Sequence, residues 1–236
     1  MTLSVAFSGA FFAWPYQAGV AAYLQDRGYL DPRSRIYGTS SGAVVAVMLA
    51  CGIDVERVGL PAGLAANERA QGDRKHPFFN AANVLPTYFE IFGAILPSDA
   101  HVRARNRLVV AVTQLSRLKR RMISEYASKQ AVLDTLGASI AIPGVTVTFA
   151  HKLAPYGWCV DGGPEVPDDD RAGVDTLRVG VGPRLPGGRV DHITPSRPIG
   201  VGQRVLIAPE AQRRELFELG KSDAQAYFRR SQRETA

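Results

Sequence analysis

The sequence predicts an α/β fold with a parallel central sheet, and three observations predict it. Strand-like and helix-like runs alternate through the first fifty residues: a strand over 2–7, a helix over 14–27, a strand over 35–37 and an apolar helix over 44–49. That order places neighbouring strands parallel, with helices crossing the faces of the sheet. The second strand meets its helix through the abrupt turn Gly38-Thr39-Ser40-Ser41-Gly42. Further β-rich runs return downstream, at 107–113 and 176–181. A chain of 236 residues buries one substantial core, so a single domain over 1–236 is expected.

Each element has its local reason. Strand 2–7 runs into Ser8-Gly9-Ala10-Phe11-Phe12-Ala13 and then the helix over 14–27. Pro15 sits in that helix's first turn, where a missing N–H costs nothing, and Gly28 stops it. Residues 54–69 read as a helix after a break at Gly52, and 70–74 as a polar loop. Segment 76–97 is rich in aromatic residues (Phe78, Phe79, Tyr88, Phe89, Phe92). It reads as a helical cap over a site or as an ordinary buried helix pair. Strand 107–113 leads to a basic hairpin tip, Arg117-Leu118-Lys119-Arg120-Arg121, with 122–126 pairing back. Ser128 is the N-cap of a helix over 128–136. Strands are expected at 145–150, 157–160 and 176–181. A final helix over 209–232 gathers Leu216, Phe217 and Ala224 on one face and carries five arginines. Those five are Arg213, Arg214, Arg229 and Arg230 within it and Arg233 just beyond, and the helix suits docking on the sheet with a solvated basic amphipathic face, or rest on a membrane surface.

Composition narrows the function. The net charge is +6, yet no zinc-finger or RNA-binding signature and no basic–aromatic stripe is present, so nucleic acid is not an expected partner. The two cysteines, Cys51 and Cys159, give no disulfide framework and no metal-ligand spacing. The chain shows no apolar run long enough to span a bilayer and no signal-peptide pattern, which predicts cytoplasmic residence.

The turn at 38–42 carries the chemistry. It matches G-x-S-x-G, in which a serine sits on a strained strand-to-helix turn with its hydroxyl exposed. Gly38 and Gly42 allow the chain to double back. Ser40 is the candidate nucleophile, and the bland alternative is a helix cap supplied by Ser41 or Thr39. A serine needs a base. His192 alone among the four histidines falls late enough for the Ser…Asp…His order of α/β-hydrolases. The stronger partner is Asp161, in Asp161-Gly162-Gly163, where two glycines after a strand end let a carboxylate turn into a cleft.

With both motifs in view, the sequence resembles the patatin-like phospholipase family, in its adiponutrin-type branch. The similarity extends through Tyr16–Val20, Leu96-Pro97-Ser98-Asp99, Ala138-Ser139-Ile140-Ala141-Ile142-Pro143 and Ile193-Thr194-Pro195, over residues 3–207. The resemblance implies a three-layer α/β/α patatin-like fold with a mainly parallel central sheet. It implies lipid acyl hydrolysis by a dyad, with Ser40 as nucleophile, Asp161 as general base and an acyl-enzyme intermediate. The expected substrate is a phospholipid or acylglycerol met in peripheral contact with a membrane or lipid surface, with no metal and no cofactor. The family's glycine-rich loop supplies backbone donors for the oxyanion, which falls here on Gly9, Ala10 and Phe11. That loop is degenerate: only Gly9 remains, and a bulky residue tolerates positive φ poorly. The rival reading is therefore a weak or inactive patatin-like protein that binds lipid or a partner. A His192-dependent esterase comes next, and a nucleotide binder last, because 8–13 lacks the needed glycines.

Overall fold

The computed structural model describes residues 2–72, 81–164, 174–182 and 192–234. In chain order the elements are β1 (Thr2–Phe7), α1 (Trp14–Asp26), β2 (Ile36–Thr39), α2 (Ser41–Ala50), α3 (Leu60–Gln71), α4 (Ala81–Ile95), α5 (Ala100–Ala104), β3 (Leu108–Gln114), β4 (Lys119–Ile123), α6 (Lys129–Ser139), β5 (His151–Leu153), β6 (Gly157–Asp161), β7 (Val174–Val179), α7 (Val201–Val205) and α8 (Glu210–Glu234). A 3₁₀ turn at Phe11–Ala13 precedes α1. Among the described residues, seven strands form one sheet, flanked by helices. Its parallel centre is β7, β1, β2 and β3, while β4 and β6 run antiparallel to β3, and β5 antiparallel to β6.

Helix α2 occupies the middle of the core. Every residue from Gly42 to Ala50 is buried, as expected of a helix that is apolar all round. The same core takes in Tyr16 and Leu24 of α1, Phe92 of α4, Leu136 of α6 and Phe217 of α8. Cys51 closes α2 as a buried core residue, and burial pushes its thiol up to about 12. Cys159 is also buried and free.

Two expected elements come out differently. Residues 145–150 form no strand. The carbonyl of Ile142 accepts the N–H groups of Val145 and Thr146, and Gly144 takes φ +74, so the backbone curls into a turn instead of offering a ladder. The helix expected over 54–69 is split. Asp54 caps a single π-turn at Val55–Gly59, accepting the Arg57 N–H at 2.8 Å, before α3 begins. Pro61 explains the break, because its ring and missing N–H forbid one continuous α-helix through Arg57. Of the aromatic segment, α4 covers 81–95. His76, Phe78 and Phe79 lie outside the described residues.

Candidate active site

Strand β3 organises the site. Its Val110 pairs with Gly38 of β2 and with Ile123 of β4, while Val112 pairs with Arg121 of β4 and with Asp161 of β6. A strand has two edges and β4 fills one of them. Strands β2 and β6 therefore lie in line on the other, tip to tip, with Thr39 opposite Ala111 and Asp161 opposite Val112. The loops leaving these tips begin with Ser40 and Gly162. This junction is why residues 121 positions apart in sequence share one corner.

Packing clamps the junction. A Cβ on Gly162 would lie 2.2 Å from the Ala111 carbonyl oxygen and 2.6 Å from Thr39 Oγ1, so only glycine fits. Thr39 Oγ1 donates to the Gly163 carbonyl at 2.7 Å. On the other side, a Cβ on Gly42 would lie 2.4 Å from the Phe7 carbonyl oxygen, which lets α2 start against the end of β1. Between them Ser40 adopts φ +54 and ψ −136. Such a non-glycine conformation costs on the order of 1–3 kcal/mol and persists only where its surroundings impose it. One of the groups imposing it is Ser139, fully buried at the end of α6. Its Oγ accepts the Ser40 N–H at 3.0 Å and donates to the Ala111 carbonyl at 2.7 Å.

Asp161 is held as firmly. Its N–H donates to the Ala141 carbonyl at 2.9 Å, and its Oδ1 accepts the Gly163 N–H at 2.7 Å. Oδ2 is buried and accepts no hydrogen bond. Burial raises the Asp161 pKa above the ordinary carboxylate value. The Ser40 hydroxyl, the Gly163 N–H and the Arg120 guanidinium each pull it back down. The Ser40 hydroxyl thus stands beside the carboxylate as a hydrogen-bonding neighbour, without a complete hydrogen bond to Oδ2. Catalytic contacts are commonly this loose before substrate arrives.

Ser40 lies on the floor of an apolar cleft, enclosing about 450 Å³ with its open mouth included. Phe11, Trp14, Val44, Tyr88 and Ile140 wall it, with Val145 at the rim. Tyr88 and Val84 come from α4, so the aromatic segment does roof the cleft in part.

The loop at 8–13 packs down on this corner. Gly9 N–H donates to the Pro164 carbonyl at 2.8 Å, and Ala10 N–H donates to Ser41 Oγ at 3.0 Å. Two of the three expected oxyanion donors are thus engaged within the protein. Phe11 adopts φ +47 despite its bulk and stands half exposed at the cleft mouth. It opens a 3₁₀ turn, so its N–H has no partner from that turn. Ser41 does not cap α2; its hydroxyl serves Ala10 instead.

Sequence reasoning missed Arg120 and Ser139 as site residues and offered Thr39 and Ser41 only as helix caps. Ser139 carried a signal, since it stands in the Ala138–Pro143 run of the resemblance. His192 stays apart. Its Nδ1 accepts the Arg178 N–H at 3.0 Å beyond β7, its ring neighbours Tyr227, and it does not line the cleft. Among the described residues no cluster of His, Cys, Asp and Glu is arranged to hold a metal ion, and no helix is long and apolar enough to cross a membrane.

Omega-hydroxyceramide transacylase of Mus musculus is 31% identical over 144 residues, which are 59% of this chain and 24% of that protein. Patatin-like phospholipase domain-containing protein 2 of Homo sapiens is 29% identical over 147 residues, which are 60% of this chain and 28% of that protein. The chain therefore spans about a quarter of the length of these curated relatives. Among solved structures, VipD from Legionella pneumophila superposes with a TM-score of 0.56 at 13% identity, covering 96% of this chain and 66% of that one, a likeness of fold. The family model described as patatin-like phospholipase matches residues 5–164, from the middle of β1 to the residue after Asp161-Gly162-Gly163. The chain belongs to the patatin-like phospholipase family.

Proposed function

We propose that the protein is a lipid acyl hydrolase that cleaves carboxylic esters of phospholipids or acylglycerols through a Ser40–Asp161 dyad. The observation that carries the reading is the tip-to-tip meeting of β2 and β6, which puts a strained, near-buried serine beside a carboxylate with one unsatisfied oxygen at the base of an apolar cleft. The acyl chain lies along Phe11, Trp14 and Val44, and burial of its methylenes drives binding. Asp161 Oδ2 accepts the Ser40 proton as Oγ attacks the ester carbonyl. The tetrahedral oxyanion is held by the Phe11 N–H and by the Ala10 N–H once the Ser41 hydroxyl turns off it, close to the positive N-terminal end of α2. The leaving alcohol takes the proton from Asp161; the carboxylate then takes a proton from the water that attacks the acyl-Ser40 carbonyl and returns it to Ser40 Oγ as that ester bond breaks and the acid leaves. No step uses a histidine, a metal or a cofactor.

One detail widens the acceptor. The mouse relative is named a transacylase, and 1-acylglycerol-3-phosphate O-acyltransferase Pnpla3 of Mus musculus is 27% identical over 144 residues, 59% of this chain and 34% of that protein. An alcohol of a second lipid can take the place of water at Asp161, so product analysis is part of the test.

The deciding experiment is labelling by a fluorophosphonate probe beside Ser40→Ala and Asp161→Asn. Labelling of the wild type, lost in Ser40→Ala and slowed at least 100-fold in Asp161→Asn, supports the dyad. Folded wild type that does not label at vesicle surfaces or in solution would establish the rival reading of an inactive lipid binder.

A further inference from the structure

From the exposed side chains around the cleft we infer that the protein docks on anionic lipid surfaces through the β3–β4 hairpin and the aromatic pair beside it, not through the arginine-rich helix α8. The inference rests on the reading that the substrate is a lipid, and it names the surface that meets it.

Leu118 stands at the hairpin apex, 83% exposed and in a left-handed conformation. Arg117 and Lys119 flank it, both exposed, and neither makes an ion pair among the described residues. The turn at Leu115–Arg117 packs on β6. There Trp158 is half exposed, directly opposite the exposed Lys152 of β5. The Trp158 ring meets that of Phe149, itself 63% exposed, with centroids 6.3 Å apart. Phe149 belongs to the same loop as Val145 and Thr146, which line the Ser40 cleft. The hairpin, β6 and this loop therefore follow one another toward the cleft mouth. No acidic residue occurs in 114–121 or 145–160. Exposed aliphatic and aromatic side chains interleaved with unpaired cations suit one partner, an apolar layer under negative head groups.

Helix α8 offers charge without the apolar half. None of the exposed large hydrophobic side chains lies on it. Much of its basicity is also committed. Arg213 is buried against Glu68, Arg214 pairs with Glu210 and Lys221 with Glu56. Tyr227 and Phe228 turn inward, with Phe228 stacking on Tyr29 at 4.0 Å.

The test measures partition of the Ser40→Ala protein onto vesicles of phosphatidylcholine with and without phosphatidylglycerol, by co-sedimentation and by tryptophan emission. Only two tryptophans are present, and Trp14 is buried, so a blue shift on binding reports Trp158. The hairpin variant is Arg117→Glu, Leu118→Asp, Lys119→Glu, and the control is Arg229→Glu, Arg230→Glu, Arg233→Glu on α8. Each basic residue at an anionic surface contributes about fivefold in partition. The hairpin variant is expected to lose at least tenfold and its blue shift, and the α8 variant less than threefold. Equal binding by the hairpin variant, or equal loss in both, overturns the inference. So does displacement by single-stranded RNA of a wild type that ignores Leu118→Asp alone. Probe labelling of the same variants on a Ser40 background separates the two readings. Hairpin-dependent vesicle binding without labelling would leave the docking surface standing and the hydrolase reading fallen. Labelling retained in the hairpin variant also shows that it is folded.

Discussion

Asp161 has a raised pKa because burial disfavours its charge more than its three stabilising neighbours favour it. The base works only when ionised, so activity falls as pH drops through that raised value. The acid limb of kcat/KM on a soluble ester is therefore expected above the ordinary aspartate value of 3.8. Arg120 pulls the pKa down, so Arg120→Gln should move the limb further up and leave the rate at higher pH largely intact; an unmoved or lowered limb would contradict the assignment of Asp161 as base. Ser139 acts on the nucleophile through the backbone. Removing its hydroxyl in Ser139→Ala leaves the Ser40 N–H and the Ala111 carbonyl without that partner, at a cost of about 1–3 kcal/mol. Urea unfolding should show that loss. The labelling rate at saturating probe should fall while the probe's apparent affinity holds, because the strained turn, not the cleft, has been loosened.

At the level of elements, the close seam between α1 and α8 decides how the C-terminal helix belongs to the fold. A Cβ on Gly19 would sit 2.0 Å from the Phe217 carbonyl oxygen, and one on Gly220 2.0 Å from that of Tyr16. The two backbones touch, and the Tyr16 hydroxyl donates to Asp223 across the seam at 3.1 Å. Gly220→Ala must force them apart and should cost about 1–3 kcal/mol of stability by denaturant midpoint, as overpacking does. Gly202→Ala on α7, with open space around it, should change stability by less than about 0.5 kcal/mol. Neither glycine announced this role in the sequence, because close approach is a property of two distant segments. Ser40 and Asp161 were legible for the opposite reason: each sits in a turn whose glycines are next to it in sequence. Strands β1, β3 and β6 were legible from β-branched or apolar runs, whereas the turn at 143–150 was not. Its residues have strand propensity, and only the tertiary hold of Ile142 on their N–H groups bends them. The in-line meeting of β2 and β6 on β3 was likewise invisible, since register between strands is written in no single segment.

Across the whole molecule the net charge of +6 is unevenly used. Around α8 the cations Arg213, Arg214 and Lys221 face acidic partners, while Arg117, Lys119 and Lys152 stand in a stretch with none. Opposed charges at a protein surface cancel within a few ångströms, but an uncompensated cluster projects a field over about one Debye length, roughly 10 Å at 0.1 M salt. That field acts on a charged bilayer and not on a dissolved neutral ester. Turnover of lipid in anionic vesicles should therefore fall at least tenfold between about 0.05 and 0.5 M salt, while hydrolysis of a short-chain soluble ester changes less than twofold, because its binding is apolar and its chemistry is shielded in the cleft. Zwitterionic vesicles should show the weak dependence of the soluble ester. If both substrates lose activity in parallel, salt is acting on Asp161 and Arg120 at the dyad itself, and the acid limb should then shift upward with ionic strength. If neither responds, docking is carried by Leu118, Phe149 and Trp158 without help from the cations, and the charge-reversed hairpin residues would matter less than the single Leu118→Asp.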